Sequence, residues 1–267
     1  MSTSPSRPFY TRYGFSRTGE SAAPLSIAPY PELCTGGALR ATIVASAVDL
    51  VGSLFTREVA GTDATFTSDL SVRIVRPHIP ERLLAHGERL RAGRRLVTTG
   101  VRLEAAGEAY AYGETTFSRI ARESDTPPDL ATLSLPNTIE RHPLSRPLDE
   151  EVGIEVVDAA TGSVRLPLRP ALLNPEGVMQ GALVALVAEC SALTLAGHAR
   201  RSQQVITELD VRYLSAVSVG PVEGRAAWIG GSEAGMLRVV LRDLGRGDRL
   251  TTTALIRVVP AILDARS

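Results

Sequence analysis

The chain has 267 residues, a length that fits two domains of ordinary size. Its hydrophobic share of 44 % can fill a large core, and its net charge of zero does not favour nucleic acid or an acidic membrane as a partner. Two cysteines cannot form a disulfide framework and are typical of a reducing cytosol. Residues 1–10 lack the apolar core of a signal peptide, and no uncharged apolar run reaches the roughly 18 residues of a membrane span, so we expect a soluble cytoplasmic protein.

Turn residues and apolar runs alternate along the first part of the chain. Two short strands are predicted within residues 10–27, around the turn at Thr18 and Gly19. A loop rich in Gly and Pro then leads into an apolar helix, predicted over residues 39–55. The runs that follow predict an antiparallel meander over residues 69–75, 82–92, 95–105 and 109–120. One helix with about five strands predicts a unit of the α+β class.

Residues 123–150 have a different composition, with five prolines and little periodicity. They are predicted to form a semi-rigid linker, which separates an N-terminal domain (residues 1–122) from a C-terminal domain (residues 151–267). The second domain repeats the order of the first. Strands are predicted at 153–157 and 163–168, followed by a loop, an apolar helix and four more strands that end near residue 259.

The helix of the second domain lies in the stretch 174–196, N-P-E-G-V-M-Q-G-A-L-V-A-L-V-A-E-C-S-A-L-T-L-A. From Met179 onward it is apolar or small on every side, which is typical of a helix buried in a core. Its one charged residue there is Glu189, and a buried carboxylate is destabilising unless it is paired, protonated or used in catalysis. These residues fit both a structural acid that accepts hydrogen bonds from nearby backbone and a catalytic acid.

The same stretch occurs a second time, 140 residues upstream, as C-T-G-G-A-L-R-A-T-I-V-A-S-A-V-D-L-V-G-S-L-F at residues 34–55. In this copy Asp49 stands where the other has Glu189. Further on, residues 67–77 match residues 206–216 at an offset of 139. Because internal repeats set the architecture, the chain is predicted to be two copies of one α+β unit.

The second copy enters its helix through the pattern N-x-x-G-x-x-[HQ]-G, with an acid eight residues after the last glycine. These positions are Asn174, Gly177, Gln180, Gly181 and Glu189. The pattern resembles that of the hotdog-fold acyl-CoA thioesterases of the phenylacetate-degradation type, a family that more often has His at the position of Gln180. The following strand resembles the family's T-x-[DE]-L-x-V-x-[YF] through Leu209, Val211 and Tyr213. Its leading Thr is replaced by Ile206 and is found in the first copy as Thr67.

The resemblance covers nearly the whole chain and implies two tandem hotdog domains, each an antiparallel sheet wrapped around a central apolar helix. It also implies the hydrolysis of an acyl-CoA thioester to a free acid and CoA, with no cofactor besides the CoA of the substrate. Hotdog domains generally work as side-by-side pairs with active sites between two units, and here one chain would supply both. Double units can pair again through sheet edges or faces, so the oligomeric state stays open.

Thioester hydrolysis needs a carboxylate that attacks or activates water, and donors for the developing oxyanion. The predicted donor is the N–H of Gly181 at the start of the second helix. Glu189 lies about 12 Å further along that helix, too far to act on the same carbonyl, because reacting groups must approach within about 3–3.5 Å. We therefore expect Asp49 of the other copy to be the general base or nucleophile, with Asn174 and Thr67 holding the water and the carboxylate.

A second composite site would combine Glu189 with residues of the first copy. There Gly37 and Arg40 stand where the second copy has Gly177 and Gln180, and these four are the predicted substrate-binding residues. This site lacks the Asn and the Thr of the first one. We expect one competent site and one degenerate site.

Two other functions remain open at this stage. A non-catalytic protein that binds acyl-CoA or an acyl carrier fits the eroded first copy, and a hydratase or dehydratase of the same fold is the weaker alternative, because no His lies near either helix start. The four histidines lack metal-ligand spacing, so no metal is expected. The length and identity of the acyl chain are not predicted.

Overall fold

The structure is a computed structural model that describes residues 9–20, 24–121, 143–174 and 177–261. Most of the predicted linker lies outside the described residues. Its last part is described, and there Leu144 and Leu148 are buried against the core, with 2 % and 0 % of their surface exposed. At least this end of the segment is therefore packed into the fold.

The described residues form two long helices, a short one and fourteen strands. The helices are α1 (Ala41–Ala60), α2 (Leu148–Val152) and α3 (Gly181–Arg200). The strands of the first half are β1 (Phe15–Arg17), β2 (Leu25–Ile27), β3 (Cys34–Thr35), β4 (Ala38–Leu39), β5 (Ala64–Ile74), β6 (Leu83–Ala92), β7 (Leu96–Ala105) and β8 (Glu108–Ile120). Those of the second half are β9 (Glu155–Asp158), β10 (Ser163–Leu166), β11 (Gln204–Tyr213), β12 (Val222–Trp228), β13 (Met236–Asp243) and β14 (Arg249–Pro260). The predicted strands and long helices occur in the predicted order, although α1 extends to Ala60 and β5 begins at Ala64.

Twelve of the strands form one antiparallel sheet in the order β1-β2-β6-β7-β8-β5-β11-β14-β13-β12-β10-β9. From either edge to the centre, the two halves add their strands in the same relative order. The repeat seen in the sequence is therefore also a repeat of topology. It meets at the pair β5–β11, where Leu70 lies opposite Val211.

The long helices pack against the sheet, α1 on β5–β8 and α3 on β10–β14, and they also contact each other. Small and branched apolar side chains cover both helices, and those of Val44, Val48, Leu183 and Val187 are at most 4 % exposed. By length and composition α3 could cross a membrane, but its apolar window is 67 % buried inside the protein. In this structure α3 serves as a core helix.

The central strand pair carries two features that bear on function. Ion pairs cross it, from Arg73 to Asp210 at 2.8 Å and from Arg212 to Asp69 at 3.0 Å. The register of β5 against β8 shifts between Thr67 and Asp69, and the matching strand β11 has the same irregularity. Such bulges re-aim side chains, often beside active sites.

Candidate active site

Asp49 lies in the middle of α1 and approaches the start of α3, the helix of the other half. Its Oδ2 atom is 3.9 Å from the point where a β-carbon on Gly181 would lie. The hydroxyl of Thr67, at the β5 bulge, donates a hydrogen bond to Asp49 Oδ1 at 2.6 Å. The structure thus brings Asp49 and Thr67 of the first half together with Gly181 of the second.

The Asp49 carboxyl group is half-buried and forms no ion pair with an arginine or histidine of the described residues. Burial raises its pKa to about 6, although the hydrogen bond from Thr67 lowers it. A carboxylate that titrates near neutral pH is well matched to accept a proton in catalysis. The geometry and the pKa together make Asp49 a candidate general base.

The first turn of α3 offers unused hydrogen-bond donors beside this carboxylate. The N–H groups of Leu183 and Val184 donate to Gln180 O at 2.9 and 3.2 Å. Those of Gly181 and Ala182 have no acceptor among the described residues. Free N–H groups and the helix dipole favour negative charge at this end of a helix, so these two amides can stabilise an oxyanion.

Two other predicted site residues shape the chain that enters α3. The Asn174 side chain accepts a hydrogen bond from the Val178 N–H at 3.2 Å, and its backbone N–H donates to Val178 O at 2.7 Å. The Gln180 side chain is 6 % exposed and donates to Leu173 O at 3.2 Å, while its own oxygen has no partner among the described atoms. Asn174 holds the turn, and Gln180 keeps one buried acceptor free next to Gly181.

The two predicted substrate-binding glycines occupy turns on the surface. Gly177 is exposed with a φ of 73°, and Gly37 is exposed with a φ of 76° between β3 and β4. Both lie in the left-handed region that favours glycine. The structure therefore explains both glycines by backbone conformation.

The second acid, Glu189, has a different environment. It is 1 % exposed and accepts a hydrogen bond from the Thr42 N–H, at the start of α1, at 2.7 Å. Arg40, itself 5 % exposed, lies 3.4 Å from Glu189 and also pairs with Asp149 of α2. Glu189 thus accepts from a first-turn amide of the opposite helix, and Arg40 neutralises it. Arg40, predicted to bind substrate, is held in this buried cluster.

The charges of this cluster depend on one another. Burial raises the pKa of Glu189, while Arg40 and the Thr42 amide oppose that rise. Burial alone would lower the pKa of Arg40, but Glu189, Cys190 and Asp149 outweigh it and the pKa is raised. Arg40 therefore stays charged at neutral pH and depends on its acidic partners.

Replacing Arg40 with Met should lower the free energy of unfolding by about 3 kcal/mol, because removing one partner leaves a buried charge uncompensated. Urea unfolding at pH 7 measures this change. The matched control is Arg73→Met, which breaks a partly exposed pair and should lower stability by less than about 1 kcal/mol. Equal small losses in both variants would show that the Arg40 cluster is not a buried ion pair in solution.

Sequence reasoning did not place Tyr213 or Asp149 at a site. The Tyr213 hydroxyl donates to Gly181 O at 3.2 Å and thus lies beside Asp49. The sequence did contain an indication of Tyr213. The repeat offset of 139 matches it with Ile74, so the hydroxyl group is found in one copy and not in the other. Asp149 lies in the non-periodic segment between the copies, and nothing in the sequence predicts its contact with Arg40.

Two further features of the described residues lie away from Asp49. A cavity of 660 Å³ is lined by residues of the segments 76–84 and 104–110, and neither Asp49 nor Gly181 borders it. In the described part of the chain no three His, Cys, Asp or Glu side chains are grouped so that they could hold a metal ion. The Asp49–Gly181 centre is therefore a better candidate active site than this cavity.

No protein-family model and no curated protein matches this sequence. Solved structures do resemble it. An acyl-ACP thioesterase from Bacteroides thetaiotaomicron superposes with a TM-score of 0.61 at 10 % identity, covering 88 % of this chain and 96 % of its own. The acyl-CoA thioesterase II TesB2 from Mycobacterium marinum gives 0.58 at 13 % identity, covering 95 % and 98 %.

A conserved protein from Alicyclobacillus acidocaldarius, described as having a hot dog fold, gives a TM-score of 0.56 at 14 % identity and covers 94 % of this chain and 97 % of its own. This chain has the hotdog fold. At such low identities the similarity establishes the fold alone. The hotdog prediction from sequence is thereby confirmed, and the similarity extends over both halves of the chain.

Proposed function

We propose that this hotdog protein consists of two hotdog units fused in tandem and hydrolyses an acyl-CoA thioester to a free acid and CoA, at one composite site between its halves. One observation carries the proposal. The Asp49 carboxyl group has a raised pKa and no cationic partner among the described residues, and it lies beside the free amides at the start of the other half's helix. A general base and an oxyanion site therefore come together only because the two halves pair.

In the proposed reaction the thioester carbonyl lies against the start of α3, where the amides of Gly181 and Ala182 donate to its oxygen. Asp49 accepts a proton from a water molecule while the water oxygen attacks the carbonyl carbon. The tetrahedral intermediate then collapses and the carbon–sulfur bond breaks, and the proton held by Asp49 passes to the departing thiolate, which restores the Asp49 carboxylate. Negative charge on the carbonyl oxygen is greatest in the intermediate, so the amides stabilise it more than the bound substrate.

The Glu189 centre is proposed to be the degenerate counterpart of this site. The start of α1 already donates to the Glu189 carboxylate through the Thr42 N–H, and Arg40 neutralises that carboxylate. Among the described residues, the Thr42 amide and the Glu189 carboxylate are therefore already bonded to each other, and the paired acid is not left as a free base for a substrate. The proposal therefore assigns one active site to each chain, in a cytoplasmic enzyme that needs no metal.

A thiol-release assay on a panel of short, long and aromatic acyl-CoA thioesters tests this function. Release of free CoA from at least one of them supports hydrolysis, and the preferred acyl group indicates the substrate class. The same acyl groups on an acyl-carrier protein show which thiol carrier is used. Binding of acyl-CoA without turnover would overturn the proposal in favour of a binding protein, and hydration of an enoyl-CoA would favour a hydratase.

The pH dependence of hydrolysis should follow Asp49. The carboxyl group must lose its proton before it can accept one from water, so kcat/KM should rise with pH and level off above about pH 6. Initial rates measured from about pH 4.5 to about pH 8.5, at intervals of about half a pH unit, would define the rising part of the pH profile. A rate that does not change across pH 5–7 would contradict a base with this pKa.

A further inference from the structure

Two groups converge on one point beside the start of α3. The point is the position that a β-carbon on Gly181 would take. The Tyr213 hydroxyl oxygen is 3.7 Å from it, and Asp49 Oδ2 is 3.9 Å from it. An acid and a phenol from different halves thus face the same small volume, next to the proposed oxyanion donors.

The hydroxyl of Tyr213 is suited to accept a hydrogen bond there. Its own proton is donated to Gly181 O at 3.2 Å, so the lone pairs of its oxygen remain available. Burial, followed by the nearby Asp49 charge, raises the pKa of Tyr213 well above its usual value of 10. The phenol therefore stays neutral and keeps this arrangement throughout the working pH range.

At the position that the repeat matches with Tyr213, the other half has an apolar residue. The equivalent position on β5 is Ile74, which is 6 % exposed and apolar. Thr67, the partner of Asp49, is likewise matched by apolar Ile206 on β11. At both matched positions the hydroxyl group belongs to the Asp49 centre, where no arginine of the described residues pairs with the acid.

We infer that Tyr213 is a catalytic residue that binds the attacking water together with Asp49. This rests on the proposed function. One O–H of the water points at Asp49 Oδ2 and the other at the Tyr213 oxygen, which leaves a lone pair of the water oxygen free to attack the thioester carbon. The first proton passes to Asp49 as the carbon–oxygen bond forms, and the second stays on the new carboxylic acid. Tyr213 neither gains nor loses a proton.

The variant Tyr213→Phe tests this role, because it removes the acceptor and keeps the ring. For the preferred thioester, kcat should fall about tenfold while KM changes less than about twofold, since the water is held less well and the acyl group is still bound. Hydroxylamine, a stronger nucleophile that depends less on being held by two acceptors, provides the second measurement. The ratio of hydroxamate to free acid should rise about tenfold in the variant.

The matched control is Tyr110→Phe. Tyr110 is also buried and donates to a backbone carbonyl, His78 O, at 2.9 Å, but it does not approach Asp49 or Gly181. Its product ratio should equal that of the wild type. Equal losses of hydrolysis and hydroxylaminolysis in Tyr213→Phe would overturn the inference and leave the proposed function standing. Failure of the wild type to cleave any thioester would overturn both.

Discussion

Replacing Asp49 with Asn is expected to reduce thioester hydrolysis by about 10²- to 10⁴-fold, the usual contribution of a general base. Asparagine has nearly the same shape and can accept the hydrogen bond from Thr67, but it cannot take a proton from water. The loss should appear in kcat, because no contact that holds the acyl group is removed. Thiol-release kinetics on the preferred substrate measure this effect.

The same substitution should stabilise the protein at high pH. The pKa of Asp49 is raised from 3.8 to about 6, so the folded state holds a proton that the unfolded state has lost. Stability from this group is therefore greatest below about pH 4 and is lost as pH rises to about 6. Asparagine avoids that loss, so Asp49→Asn should be more stable at pH 8 by on the order of 2 kcal/mol and equal to wild type near pH 3.5.

Asp69→Asn is the matched control, since it makes the same chemical change two residues after Thr67. The Asp69 side chain is 44 % exposed and pairs with Arg212, so this variant should keep its activity. Glu189→Gln should also keep most of its activity, because Glu189 is already bonded to the Thr42 amide and paired with Arg40. Loss of hydrolysis with Glu189→Gln and its retention with Asp49→Asn would reverse the assignment of the two sites.

The architecture could be predicted because the repeat and the apolar patterns can be recognised within short segments of the sequence, without knowledge of tertiary contacts. Two apolar stretches with an acid at the same place predicted both long helices, and alternating runs predicted the strands. The distance from Gly181 to Glu189 along one helix implied that the acid must come from the other copy. The structure does bring Asp49 to Gly181.

The contacts of the Glu189 centre could not be predicted from the sequence. Arg40 aligns with Gln180 and was predicted to bind substrate, but its side chain pairs with Glu189 and with Asp149. Asp149 reaches Arg40 only because α2 packs against the fold, and no periodic pattern marks its position. A buried ion pair depends on tertiary packing at both ends, which a single sequence does not reveal.

The two centres show that acids at matched positions of the repeat can have two different environments in one fold. Each places a carboxylate from one helix near the start of the other helix. At Glu189 a neighbouring arginine compensates the buried charge, and the acid becomes part of the core. At Asp49 no arginine of the described residues pairs with the acid, burial raises its pKa, and the acid can accept a proton. Under the proposed function, the Asp49 centre is the catalytic one and the Glu189 centre is structural, and each centre contains residues of both halves.

Replacing Gly181 with Ala should leave the fold intact and abolish most of the hydrolysis. The new methyl group would lie 3.7 Å from the Tyr213 oxygen and 3.9 Å from Asp49 Oδ2, which are ordinary contacts. Alanine also favours a helix over glycine by up to about 1 kcal/mol, so thermal unfolding should show equal or higher stability. The methyl group, however, fills the space through which a thioester carbonyl must approach the amides of α3. We expect kcat/KM to fall by about 10²- to 10³-fold, as for loss of an oxyanion donor.

The control is Gly197→Ala, in the last turns of the same helix, where an added β-carbon meets only Ser202 O at 4.0 Å. That variant should gain stability and keep full activity, so it separates the effect of a methyl group on the helix from its effect on the site. Because Gly181→Ala is predicted to fold, its inactivity could not be attributed to unfolding. If it hydrolysed thioesters at more than half of the wild-type rate, the carbonyl could not bind at the start of α3, and the oxyanion donors would have to be sought on another element.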